Sequence, residues 1–129
     1  MKLLMDANAL IRAADQPQML GQAALSAMRD SNNDLFISAA TIWEISIKVG
    51  LKKLGLSLPF RQWIHQAIND LGLTTLAITV DHADEQIRLP MHHRDPFDRL
   101  LVAQAVVENL SIVSSDAALD AYGIQRIWE

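Results

Sequence analysis

The stretch HRDPFDRLLVAQAVVENLSIVSSD, from His93 to Asp116, contains a complete helix-to-strand unit. Asp95 before Pro96 is the pattern of a helix N-cap followed by proline at the first helical position. Asp98 then falls in the first turn, facing the positive end of the helix dipole. From Pro96 to Asn109 the chain carries Leu100, Leu101, Val102, Ala103, Ala105, Val106 and Val107, apolar nearly all round, which predicts a buried central helix. Ser111 to Ser114 reads as a short strand, and Asp116 stands just beyond its carboxyl end.

The same alternation extends in both directions. Lys2 to Met5, Leu35 to Ser38, Leu73 to Ile78 and Gln125 to Trp128 are further β-like runs. Between them, Gln22 to Asp30, Thr41 to Val49, Phe60 to Leu71 and Asp81 to Leu89 have helical apolar spacing, with Gly50 and Gly72 placed as C-terminal stops and a short helix expected over Ala117 to Tyr122. Strands alternating with helices predict an α/β fold: a central, mostly parallel sheet of about five short strands flanked by helices on both faces.

The chain of 129 residues is the size of one domain, and no linker or repeat divides it, so residues 1–129 are read as a single unit. Asp6 interrupts the short apolar run of MKLLMDANAL before a signal-peptide core can form, and no segment is apolar over a membrane-spanning length. A cytoplasmic protein with no membrane partner is expected. With no cysteine and four scattered histidines, a bound metal would be held mainly by oxygen. A net charge of -4 argues against nonspecific nucleic-acid coating by charge alone, but leaves room for an enzyme whose metal supplies the local positive charge.

Four acids stand where such a metal would be held. Asp6 and Asp116 follow the first and fourth strands, and open α/β sheets commonly bind ligands beyond strand carboxyl ends. Glu44 lies among bulky apolar neighbours in TIWEI, early in the helix after the second strand, and Asp98 opens the central helix. Converging carboxylates repel one another and need a cation; magnesium suits them because it takes hard oxygen ligands and keeps several waters. A metal so held can activate water and stabilise the charge that builds on a phosphodiester.

Each acid also has a structural reading. Asp6 could end its strand in an Asx turn, and Asp116 could cap the last short helix. Glu44 could close a capping box with Thr41 or pair with Lys48. Asp95 reads as the cap itself. The basic cluster His92, His93 and Arg94 reads more readily as a solvated loop than as a phosphate contact. Arg99 is a candidate either for phosphate binding or for neutralising its acidic neighbours. Trp43, Trp63 and Trp128 are expected in core or interface packing rather than as base-stacking platforms.

MKLLMDANAL, SAATIWEISIKVGLKKL, HHRDPFDRLLVAQA and LSIVSSD together, in this order along nearly the whole chain, resemble the PIN-domain family, specifically the VapC-type toxin ribonucleases of VapBC toxin-antitoxin pairs. HRDPFDRLLVAQA is the most specific piece. The resemblance implies a three-layer PIN-like fold and a four-carboxylate site at Asp6, Glu44, Asp98 and Asp116, with Asp98 rather than Asp95 matching the family's acid at the start of the central helix. It implies Mg2+ or Mn2+ held by Asp6, Asp98 and Asp116, with Asn8, Ser114 and Ser115 as supporting groups. It further implies endoribonuclease activity on RNA, a homodimer, and a cognate antitoxin that inserts a segment near the site. The rivals are a noncatalytic interaction module of the same fold and a phosphoacceptor signalling domain, which would want paired acids near the first strand and a late lysine.

Overall fold

In the computed structural model, which describes Met1–Glu129, five strands form one sheet: β1 (Lys2–Met5), β2 (Asp34–Ser38), β3 (Leu73–Leu76), β4 (Ser111–Val113) and β5 (Arg126–Ile127). Their order is β3-β2-β1-β4-β5 and every neighbouring pair is parallel. Leu3 lies beside Leu35 and Ser111, and Met5 beside Ile37 and Val113. Both faces of a parallel sheet are covered, so its strands need apolar residues at every position rather than at alternate ones. That explains the unbroken LLM of β1, in which all three side chains are fully buried.

The helices are α1 (Ala7–Asp15), α2 (Gln22–Arg29), α3 (Ala39–Gly50), α4 (Phe60–Leu71), α5 (Val80–Arg88) and α6 (Pro96–Glu108), with 3-10 turns at Pro17–Met19 and Ala117–Tyr122. Leu3, Met5, Leu35, Ile37 and Val113 point to the face where α1, α2, α3 and α4 supply Leu10, Ala24, Ile45 and Trp63. Leu4 and Ile112 point to the opposite face, against Leu101, Val102 and Ala105 of α6 and Leu119 of the last 3-10 turn. This is the three-layer arrangement expected from the sequence. No helix is long and apolar enough to cross a membrane.

Several elements differ from the sequence expectation. Residues 7–15 form a helix where only a turn was expected: the Asp6 carboxylate accepts a hydrogen bond from the Ala9 amide at 2.8 Å, so the Asx pattern is the cap of α1. The third, fourth and fifth strands are shorter than expected. The helix expected from Thr41 begins at Ala39, capped by Ser38, whose hydroxyl accepts from the Ala40 amide at 3.1 Å. Thr41 therefore lies inside the helix with an unpartnered hydroxyl, and the Thr41–Glu44 capping box does not form. Gly50 is the last helical residue of α3, whereas Gly72 closes α4 in the left-handed conformation at φ +64, as its stop role requires. Helix α6 is buried through Leu101–Ala105, but Val106 and Val107 are exposed, so its last turn emerges from the core.

Candidate functional site

The sheet reverses its winding between β1 and β4, and the crevice beyond the carboxyl ends of these two strands is the topological switch point where α/β proteins bind ligands. The Asp6 amide donates to the Val113 carbonyl at 3.2 Å and so joins the two strand ends. Asp116 follows β4, its amide donating to the Ser114 hydroxyl at 3.0 Å and its Oδ1 accepting from the Ala118 amide at 3.0 Å. Glu44 points in from α3, where Lys48, one turn on, donates to its Oε2 at 2.8 Å. Asp98 sits in the first turn of α6, one turn past Asp95, which caps that helix by accepting from the Phe97 amide at 2.9 Å.

All four acids expected from the sequence line one cavity of about 90 Å³, with Ala7, Asn8, Lys48 and Asp95 completing its wall. A second cavity, of about 140 Å³, lies at the far end of α1 and gathers no such cluster. Its Asp15 carboxylate is occupied by the Ser57 amide, the Ser57 hydroxyl and the Trp63 indole N–H, which tie α1 to the start of α4.

The electrostatics of the first cavity follow from crowding like charges in a partly dry space. Burial pushes the Asp98 carboxyl up to about 6; the charges of Asp95, Asp6 and Glu44 add to the rise and His93 opposes it. Burial also raises Asp6, against the Ser114 hydroxyl and Ala9 amide that favour its charged form, while Glu44 and Asp116 push it further up. Lys48 is raised above the usual lysine range, first by its hydrogen bond to Glu44 and then by the negative charges of Glu44, Asp95 and Asp98. Carboxylates so arranged disfavour one another's ionisation unless a cation joins them. The carboxylates sharing this cavity offer hard oxygen donors that suit a divalent ion retaining part of its water shell, and the donors found within 4.8 Å of one another are those of His93, Asp98 and Asp116.

The structure brings to the site one residue, His93, for which the sequence predicts only a solvated loop. His93 Nε2 lies 3.1 Å from Asp116 Oδ2 and 3.2 Å from Asp98 Oδ2. Its position next to an Asp-Pro helix start was the available signal, but the preceding loop has no periodicity from which to orient it. Arg99 takes neither role expected of it. It is 5% exposed and donates to the carbonyls of Gln86, Leu89 and Pro90, to the Gln86 side chain and to the Tyr122 hydroxyl. It therefore holds the turn between α5 and α6 and makes no contact with a carboxylate. Arg94 is exposed on the same loop. Trp63 is buried in the core, but Trp43 is 63% exposed and packs edge-on against Phe97 at 5.7 Å, at the rim beside Glu44 and Asp98. Asn8 lines the cavity and Ser114 is buried beneath it, while Ser115 is exposed.

Comparison with known proteins agrees with this architecture. The chain is 26% identical over 121 residues to ribonuclease VapC22 of Mycobacterium tuberculosis, covering 93% of this chain and 91% of that protein. Among solved structures, VapBC2 from Rickettsia felis, bound to a DNA fragment from its promoter, superimposes over 100% of both chains with a TM-score of 0.76 at 14% identity. A toxin-antitoxin complex from Klebsiella pneumoniae matches 88% of this chain and 86% of its own with a TM-score of 0.55 at 21% identity. The family model for the PIN domain matches residues 3–125, and the chain belongs to the PIN-domain family.

Proposed function

We propose that this protein is a metal-dependent endoribonuclease, the toxin of a toxin-antitoxin pair, hydrolysing RNA phosphodiester bonds at Asp6, Glu44, Asp98 and Asp116. One observation carries the reading: four carboxylates from four separate elements line a single cavity at the switch point of a PIN-domain sheet. Capping explains why Asp6 and Asp116 follow their strands, but it gives no reason for Glu44 and Asp98 to converge on the same cavity.

In this reading Asp6 and Asp98 hold the principal Mg2+ or Mn2+, and Asp116 completes its ligand set. Glu44, oriented by Lys48, positions the attacking water or holds a second ion. A cation held there would supply a water activated near neutral pH and would stabilise charge on the phosphodiester. The protein's own contribution is geometric. Rigid helix starts and strand ends fix the acids before substrate arrives, so no reorganisation is required at the reacting phosphate.

The toxin assignment draws on the ribonuclease VapC22 relative and on the fold shared with the Klebsiella pneumoniae toxin-antitoxin complex. It brings an antitoxin partner and a cytoplasmic setting. A homodimer is part of the same proposal, supported by Val80 and Ile87, 85% and 74% exposed and two turns apart on α5, which a second copy would cover.

The test is cleavage of a panel of labelled RNAs and matching DNAs with magnesium, manganese or EDTA, by the parent protein and by folded Asp6→Asn and Asp98→Asn variants. Metal-dependent RNA cutting lost in both variants is the expected result. A folded, antitoxin-free parent that neither cuts nor gains thermal stability from metal would favour a noncatalytic interaction module instead.

A further inference from the structure

His93 is held at three points. Its backbone amide donates to the Tyr122 hydroxyl at 2.8 Å. Its Nδ1 accepts from the Asp95 amide at 3.1 Å. Its Nε2 reaches Asp116 Oδ2 at 3.1 Å and Asp98 Oδ2 at 3.2 Å. Arg99 also holds this loop, donating to the carbonyls of Leu89 and Pro90.

The three donor atoms of His93, Asp98 and Asp116 lie within 4.8 Å of one another, close enough to share an ion, so a nitrogen ligand has to be considered. The Asp95 amide decides against it. A neutral imidazole that accepts at Nδ1 carries its proton on Nε2. A histidine ligating a metal through Nε2 instead carries the proton on Nδ1 and donates it outward. Here the backbone N–H occupies the place where such an acceptor would be required, so the imidazole presents an N–H to the two carboxylates rather than a lone pair to a cation.

We infer that His93 is a positioning residue for the cation site: its Nε2–H donates to Asp116 and, lying 3.2 Å from Asp98 Oδ2, keeps the two carboxylates side by side as oxygen ligands without itself binding the ion. This rests on the metal-dependent reading above and adds to it a residue outside the four acids. Asp98 Oδ2 meets His93 Nε2 only as a 3.2 Å electrostatic contact, whereas Asp116 accepts hydrogen bonds from His93 Nε2 and from the Ala118 amide. Removing the imidazole therefore leaves Asp98 free to turn from its neighbour, and the entropy of ordering both carboxylates then falls on metal binding. Groups that orient metal ligands in this way commonly change metal affinity by about 10- to 100-fold when removed.

The experiment is Mn2+ titration followed by electron paramagnetic resonance, on the parent, His93→Gln and His93→Leu, each shown to be folded by circular dichroism. Electron spin-echo modulation on the Mn2+-loaded parent then reports any directly bound nitrogen. We expect binding about tenfold weaker or more in His93→Leu, binding restored to within about threefold of the parent in His93→Gln, whose amide keeps an N–H donor, and no modulation from a coordinated imidazole. Unchanged or tighter binding in His93→Leu overturns the inference, as does a His93→Gln variant as weak as His93→Leu. Coordinated-nitrogen modulation in the parent also overturns it, and needs no variant to fold. A parent that binds no Mn2+ removes the metal-dependent reading itself, whereas a parent that binds while His93→Leu binds equally well removes only the role of His93.

Discussion

At the scale of single residues, Asp98 and Arg99 are adjacent and do opposite things. Asp98 opens onto the cavity with its carboxyl raised to about 6, chiefly by burial, against 3.8 for an unperturbed group. It therefore binds a proton more tightly folded than unfolded, and its contribution to the stability of the metal-free protein falls as pH rises from 3.8 through 6. Asp98→Asn, which cannot ionise, should raise the melting temperature of the metal-free protein at about pH 8 and flatten its decline from about pH 4 to 7. Magnesium should stabilise the parent above about pH 6 and lose that effect below about pH 5, because binding needs the charged carboxylate. Thermal denaturation across this range, with and without magnesium, reads both effects. Arg99 turns away from the cavity and places its planar guanidinium among five acceptors. A lysine has three donors on one nitrogen and cannot serve all five. Arg99→Lys should cost about 2 kcal/mol in urea denaturation through acceptors left unpaired.

At the scale of elements, the site depends on where helices start and stop. Ser38, Asp95 and Asp116 each cap the segment that follows, and these caps put Glu44 in the second turn of α3 and Asp98 in the first turn of α6. Capping and chemistry are therefore not alternatives here: Asp6 caps α1 with one carboxylate oxygen and still lines the cavity. The stop of α4 fixes the start of β3. Gly72 adopts φ +64 with two hydrogen bonds back to the Ile68 and Asn69 carbonyls. Open space surrounds the position where a Cβ would stand, so Gly72→Ala tests backbone conformation alone. It should destabilise by about 1 kcal/mol, measured by urea denaturation, with no effect on metal binding.

At the scale of the molecule, the start of α2 is joined to the last residues of the chain through Gly21. A Cβ there would lie 2.1 Å from the Trp128 carbonyl oxygen, and the Ala24 amide donates to that same oxygen at 2.9 Å. The start of α2 thus packs directly on the backbone just past β5, which flanks β4 on the side opposite β1. Gly21→Ala must push these backbones apart and should cost about 2 kcal/mol or more. Faster hydrogen exchange at the Ala24 amide would distinguish loss of this contact from a general loss of stability. Edge strand β5 is only two residues long, so its pairing to β4 relies on such side support more than on its own ladder.

Residue order alone carried the alternation of strands and helices, the parallel sheet, the cap at Asp95 and the expectation that Asp6, Glu44, Asp98 and Asp116 would meet. These features depend on local propensity, on apolar periodicity and on the rule that ligands gather beyond strand carboxyl ends. Helix α1 escaped because Asp-Ala-Asn signals an Asx turn as strongly as an N-cap, and only the packing of Leu10 and Ala9 beneath the sheet distinguishes the two. The directions of His93 and Arg99 were likewise settled by tertiary structure. His93 lies in a loop without periodicity and Arg99 in the first turns of a helix that is apolar nearly all round, so sequence spacing assigns neither of them a face. Their partners, Tyr122 and Asp116 for one and the carbonyls of residues 86–90 for the other, meet them only when α5, α6 and the last 3-10 turn fold together.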